Sequence, residues 1–89
     1  MDKNWTVYIL ECRDGTLYTG LTAALDRRLK AHESGKGAKY TRGRGPLVLR
    51  YQEELPDKGA ALKRESALKR LRREEKLAII NKKLQNASE

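Results

Sequence analysis

The sequence predicts an α+β domain: a small, mostly antiparallel three-stranded sheet flanked by helices, in the order ββαβαα. Three observations carry that prediction. Two short runs rich in β-branched and aromatic residues, Trp5 to Leu10 and Leu17 to Gly20, flank an Asp14-Gly15 turn pair. After Gly20 the apolar spacing changes from alternation to a recurrence every fourth residue. A second strand-then-helix change follows between Pro46 and Leu84.

The first run, Trp5-Thr6-Val7-Tyr8-Ile9-Leu10, favours a pleated strand over a helix. Asp14-Gly15 tolerates positive φ and suits a tight hairpin, so Leu17-Tyr18-Thr19-Gly20 returns beside the first strand. Tyr8 and Tyr18 then sit on neighbouring antiparallel strands. Leu21, Leu25 and Leu29 form one helical stripe at ~100° per residue, with His32 on the stripe and Arg28 at its edge. Thr22 is the predicted N-cap, its hydroxyl accepting from an orphan helix N–H. Two tyrosines, an arginine and a histidine therefore converge where the hairpin meets the helix.

Ser34 to Pro46 is a glycine-punctuated basic loop. Its cations Lys36, Lys39, Arg42 and Arg44, with Tyr40, suit contacts to a phosphate backbone and one stacked base, and the alternative is a flexible connector. Leu47 to Glu53 reads as a third strand, with Leu47, Leu49 and Tyr51 on one face and Val48 on the other. Leu55-Pro56 ends it. Asp57 is the predicted N-cap of a second helix reaching about Leu71, and Arg72 to Leu84 is a third. Residues 1–84 make one domain, followed by a polar, frayed tail at 85–89.

Ala61, Leu62 and Leu68 define the apolar face of the second helix, and Glu65 projects among them. A carboxylate on a core-facing stripe needs a cation, a metal or hydrogen-bond donors. Two readings stay open: an ion pair with a nearby arginine that orients helices, or a divalent-metal ligand at the floor of a cleft. Asn81, in line with Leu77, is a weaker case of the same kind.

With 89 residues the chain holds one modest core. The single Cys12 excludes an internal disulfide, gives no metal-ligand spacing, and fits a reducing cytoplasmic setting. No apolar run approaches the ~20 residues that span a bilayer, and no signal-peptide core is evident, so no membrane is expected as partner. The net charge of +8 is unevenly spread. Residues 1–26 are net acidic, residues 27–50 set eight cations against Glu33 alone, and residues 57–85 carry ten cations against four acids. Blocks of that density attract phosphates by steering and counterion release, which points to nucleic acid. The bland alternative is a lysine-rich solvated face.

The spacing Val7-Tyr8-Ile9, then Tyr18-Thr19-Gly20, then Arg28 and His32, then a helical Glu65, resembles the GIY-YIG nuclease superfamily. Tyr18-Thr19-Gly20-Leu21-Thr22 together with Gly35 to Gly43 resembles its small single-domain bacterial members of unassigned activity. The resemblance covers nearly the whole chain. It implies that Tyr8 and Tyr18 are the two motif tyrosines and Gly20 the motif glycine. It also implies that Arg28 and His32 are catalytic-helix residues and that Glu65 is the metal-binding glutamate. The first motif lacks its glycine here, Thr19 replaces the usual isoleucine or valine, Leu21 stands where many members have a lysine, and Asn81 matches a late asparagine only loosely.

The implied activity is metal-dependent hydrolysis of phosphodiester bonds in DNA, acting on particular nucleic-acid structures, with Mg²⁺ or Mn²⁺ on Glu65. Arg28 would stabilise the phosphoryl oxygens, while Tyr18 and His32 orient phosphate and water. Tyr8 or neutral His32 would be the base; an ordinary tyrosine, with a pKa of about 10, needs a cation beside it for that task. The alternative is a non-catalytic nucleic-acid-binding module that keeps the nuclease fold, and RNA is the second candidate partner. Because larger nucleases carry a separate targeting domain, a protein partner supplying targeting is also expected.

Overall fold

The structure is a computed structural model that describes residues 4–34 and 46–87, with side chains through Lys82. Lys36, Lys39, Tyr40, Arg42 and Arg44 of the basic loop lie outside the described residues. In chain order the elements are β1 (Trp5–Glu11), β2 (Leu17–Thr22), α1 (Leu25–Glu33), β3 (Val48–Leu55), α2 (Lys58–Lys69) and α3 (Arg73–Ala87). The predicted ββαβαα order is the observed one.

The strands form one antiparallel sheet in the order β2-β1-β3, so the first strand is the centre. The hairpin turn forms as its residues require. Gly15 adopts φ +86°, Gly15 N–H donates to the Cys12 carbonyl at 2.9 Å, and Cys12 N–H donates to the Thr16 carbonyl at 2.8 Å. Asp14 Oδ1 accepts from the Thr16 backbone N–H at 3.1 Å, which locks the turn. Arg73 at the start of α3 donates to the Gly15 carbonyl and ties the turn to the last helix.

Alternation along β1 divides the molecule. Val7 and Ile9 face a core completed by Tyr51 of β3, Ala61 and Leu68 of α2, and Ile80 of α3. The residues between them in β1, Thr6, Tyr8 and Leu10, leave the opposite face. His32 of α1 meets Tyr8 on that face. Register places Tyr8 opposite Gly20 and Leu10 opposite Tyr18.

Several local expectations are corrected. Leu21 belongs to β2, paired with Val7, so the α1 stripe is Leu25, Leu29 and His32. The N-cap of α1 is Ala24, which makes no side-chain cap; Thr22 ends β2, and its hydroxyl instead accepts from the Ala24 N–H at 3.0 Å. In β3, Leu49 pairs with Leu10 but Tyr51 pairs with Ile9. Arg50 is the extra residue of a bulge, so Leu49 and Tyr51 match neighbours on opposite faces of β1. An ion pair between Arg50 and Glu11 at 2.6 Å accompanies the bulge. Leu62 is 46% exposed and does not belong to the buried face of α2. Asn81 is exposed, its neighbour Ile80 being the buried residue. The third helix continues through Ala87, into the stretch expected to be a frayed tail.

Asp57 caps α2 as predicted, its carboxylate accepting from the Ala60 N–H at 2.8 Å. A polar strap that sequence reading missed joins β3 to α2. Tyr51 donates to Glu53, and Arg64 approaches the same carboxylate at 3.3 Å. Thr19 is 3% exposed, and its hydroxyl has no hydrogen-bond partner among the described residues.

Candidate functional site

Tyr8 projects from the centre of the sheet across the backbone of β2. Only a glycine permits this path. A Cβ at position 20 would lie 2.6 Å from the Tyr8 hydroxyl oxygen, 2.7 Å from its Cζ and 3.0 Å from Tyr18 Cε2. The ring is fully buried, and its hydroxyl meets His32 Nε2 at 3.0 Å. Tyr18 lies on the same face of the hairpin, its ring centroid 6.4 Å from that of Tyr8 and 5.3 Å from that of His32. Three rings thus form one cluster, tilted or edge-on to each other.

Arg28 precedes His32 by one helical turn of α1, so both side chains reach the cluster from one side of the helix. The electrostatics are internally opposed. Burial raises the Tyr8 pKa above its ordinary value, and the nearby charges of Tyr18 and Glu65 add to that, while the Arg28 guanidinium beside the hydroxyl pulls it down. The net direction is up, so the phenol is protonated at neutral pH. The Tyr8 hydroxyl in turn raises the Arg28 pKa. Burial, and then the charge of Arg28, lower the His32 pKa, so this imidazole is neutral near pH 7. A guanidinium can only donate, whereas a phenol both donates and accepts. Tyr8 can therefore accept from Arg28 while sharing its own proton with His32.

Glu65 of α2 comes close enough for its carboxylate to act on Tyr8. Its side chain is 17% exposed and pairs with Lys69 at 3.5 Å, one turn further along the same helix. Sequence reading considered an arginine as partner and missed this lysine, although the i,i+4 spacing was there to be read. The structure thus brings together Tyr8, Tyr18, Gly20, Arg28 and His32, with Glu65 near enough for its charge to bear on Tyr8. Among the described residues no group of three or more His, Cys, Asp or Glu could hold a metal. A single hard carboxylate fits a Mg²⁺-type ion that keeps most of its waters and shares a phosphate, and does not fit a closed protein cage. No helix among the described residues is long and apolar enough to cross a membrane.

A hairpin that passes one tyrosine over a glycine beside a second tyrosine, backed by an Arg/His helix, defines an α+β domain with a phenol, imidazole and guanidinium site. The family model described as the GIY-YIG catalytic domain matches residues 4–78, and the chain belongs to that family. It is similar to small proteins of the UPF0213 group. One from Streptococcus sanguinis is 52% identical over 98% of this chain and 100% of its own length. Two solution structures share the fold. The UPF0213 protein BH0048 from Bacillus halodurans is 51% identical with a TM-score of 0.58, covering 88% of this chain and 83% of that one. The protein EF2693 from E. faecalis is 35% identical with a TM-score of 0.63, covering 94% and 93%.

Proposed function

We propose that this domain is a nucleic-acid-binding module that retains the nuclease fold and grips a backbone phosphate, of DNA in the first place, at the rim of the ring cluster. The reading is carried by a division of the site into an open rim and a sealed floor. Arg28 and Tyr18 are partly open to solvent, whereas Tyr8 and His32 are buried behind them. Arg28 supplies a charged, forked donor and Tyr18 a hydroxyl donor, the groups that recognise a phosphodiester oxygen. Tyr8 and His32 hold Arg28 and Tyr18 in place from behind. The surplus of cations on α1, α2 and α3 adds sequence-independent attraction.

Phosphodiester hydrolysis is the second reading, favoured by the contact between Tyr8 and His32 at 3.0 Å, which binding alone does not need. In that reading Tyr8 takes a proton from water as its own passes to His32 Nε2, and Arg28 stabilises charge on the phosphoryl oxygens. Glu65 would hold a divalent ion, Mg²⁺ or Mn²⁺, which would supply Lewis-acid stabilisation there. The sealed, protonated Tyr8 must open before it can meet water.

One experiment separates the two. Labelled single-stranded, duplex and branched DNA and an RNA control are incubated with wild type, Arg28→Ala, Glu65→Ala and Tyr8→Phe proteins, with Mg²⁺, with Mn²⁺ or with chelator. Salt-sensitive binding in chelator, weakened by Arg28→Ala and without cut products in any metal, is the expected result. Metal-dependent cutting that Glu65→Ala and Tyr8→Phe abolish while binding survives would replace it with the hydrolytic reading. RNA bound more tightly than every DNA would move the partner to RNA.

A further inference from the structure

We propose that the corner joining α2 to α3 is a second contact for a nucleic-acid backbone, in which Arg70 and Arg72 grip phosphates of the same molecule that Arg28 and Tyr18 hold at the rim. The inference rests on the phosphate-binding reading of the rim and adds where the rest of the ligand lies.

Lys69, Arg70, Arg72 and Arg73 put four cations into five successive residues, all four exposed. Their partners divide them. Lys69 pairs with Glu65 at 3.5 Å, and Arg73 donates to the Gly15 carbonyl of the β1–β2 turn. Arg70 and Arg72 have no hydrogen bond or ion pair among the described residues. Two guanidinium forks are thus left to solvent beside two committed cations. Lys76 joins them from the first turn of α3, its pKa lowered by burial and then by the charge of Lys69. Like charges gathered this closely repel one another, and an anion relieves them.

The backbone beneath the two arginines is fixed. Leu71 packs against the core, its N–H donates to the Leu68 carbonyl at 3.1 Å, and the Arg72 N–H donates to the Glu75 carboxylate at 3.0 Å. Arg70 and Arg72 therefore flank a core-packed leucine on a preset turn, and a ligand has only their side chains left to order. Arg73 ties this corner to the hairpin that carries the rim. From Gly15 to Tyr18 that hairpin rises ~10 Å, which matches about three base pairs of duplex at ~3.4 Å each. Guanidinium forks suit phosphate oxygens, which they can bind in pairs. An acidic protein surface is a poorer match, because protein interfaces are anchored on an apolar or aromatic centre. The exposed residues of this corner are all cations, and its one apolar side chain, Leu71, is spent on the core.

The test titrates a labelled DNA duplex of about two helical turns with the full chain and reads affinity against salt concentration. Wild type is compared with Arg28→Met, with the corner pair Arg70→Gln and Arg72→Gln, and with all three substitutions together. A control pair, Lys58→Gln and Lys82→Gln, removes the same charge from the start of α2 and the second half of α3. Circular dichroism confirms that each variant is folded. The corner pair is expected to lower the slope of log affinity against log salt by about 1.8, two phosphate contacts at ~0.9 each, and its effect should add to that of Arg28→Met. The control pair should lower the slope by less than half as much. Equal losses from the corner and control pairs, with Arg28→Met still weakening binding, would overturn the corner and leave the rim. A loss confined to the corner pair, with Arg28→Met binding as wild type, would overturn the rim and with it the shared path. No binding by wild type would overturn both. Polyglutamate serves as a second titrant; if it binds more tightly than DNA and the corner pair abolishes that binding, the corner belongs to an acidic protein and the proposal fails.

Discussion

The hydroxyl of Tyr8 occupies the space that any side chain at Gly20 would need. The two residues face each other across the β1–β2 ladder, and a Cβ at position 20 would fall 2.6 Å from that oxygen. The motif glycine is therefore a steric opening through which the central strand delivers a phenol to the neighbouring strand's edge.

Gly20→Ala is expected to destabilise the domain by about 1–3 kcal/mol through overpacking. Thermal melts give the magnitude. Trimming the hydroxyl does not cure it, because Tyr8 Cζ still lies 2.7 Å from the added methyl. Gly20→Ala should thus remain destabilising in the Tyr8→Phe background, and full rescue there would disprove the steric account.

Thr19→Val is expected to stabilise by roughly 1 kcal/mol, since it replaces a buried hydroxyl lacking a partner among the described residues with a methyl of similar shape. Denaturant unfolding at constant m-value checks it. A loss of stability would mean that the hydroxyl is satisfied in solution.

Acid should weaken the fold through His32. Its folded pKa is lowered, chiefly by burial, so as pH falls the unfolded chain takes up the proton first. The contribution of neutral His32 is complete above the unfolded value of about 6.5 and is lost as pH falls through the lower folded value. Melting temperatures of wild type and His32→Gln between pH 8 and pH 5, set by those values, should converge toward the acid end. Parallel curves would show that the imidazole does not titrate in this way.

At Arg28 the shape of the guanidinium and its charge can be read separately. Arg28→Met should lower the slope of log affinity against log salt by about 0.7–0.9, the loss of one phosphate contact. Arg28→Lys should preserve the slope yet bind several-fold more weakly, because an ammonium cannot serve Tyr8 and a phosphate with one rigid fork. Identical binding by the lysine variant and wild type would reduce Arg28 to a point charge.

Most of the fold was legible because it is written locally. Asp14-Gly15, Asp57 and the β-branched run of β1 act through neighbours in sequence, and they did what their chemistry requires. The convergence of Tyr8, Tyr18, Arg28 and His32 was legible for the same reason, since one turn and one helical period bring them together. What escaped depends on partners remote in sequence. The bulge at Arg50 exists only once β3 meets β1, and Leu62 looked buried because adjacent Ala61 and Leu62 give a helix two candidate faces. The start of α1 was misread because Thr22 satisfies the same backbone donor class from a strand end. Glu65 was found on its helix, while its lysine partner was passed over for an arginine.

The central position of β1 has a consequence for the order in which the chain folds. The hairpin that carries both phenols closes over a few residues and can form in microseconds. The opposite side of the same strand is completed only when β3 arrives, with contacts such as Arg50 to Glu11 spanning 39 positions. Loop closure over that span is the slower event. Tyr8 and Tyr18 are therefore expected to become neighbours first, and to gain a fixed geometry when the last helices dock on the other face of β1.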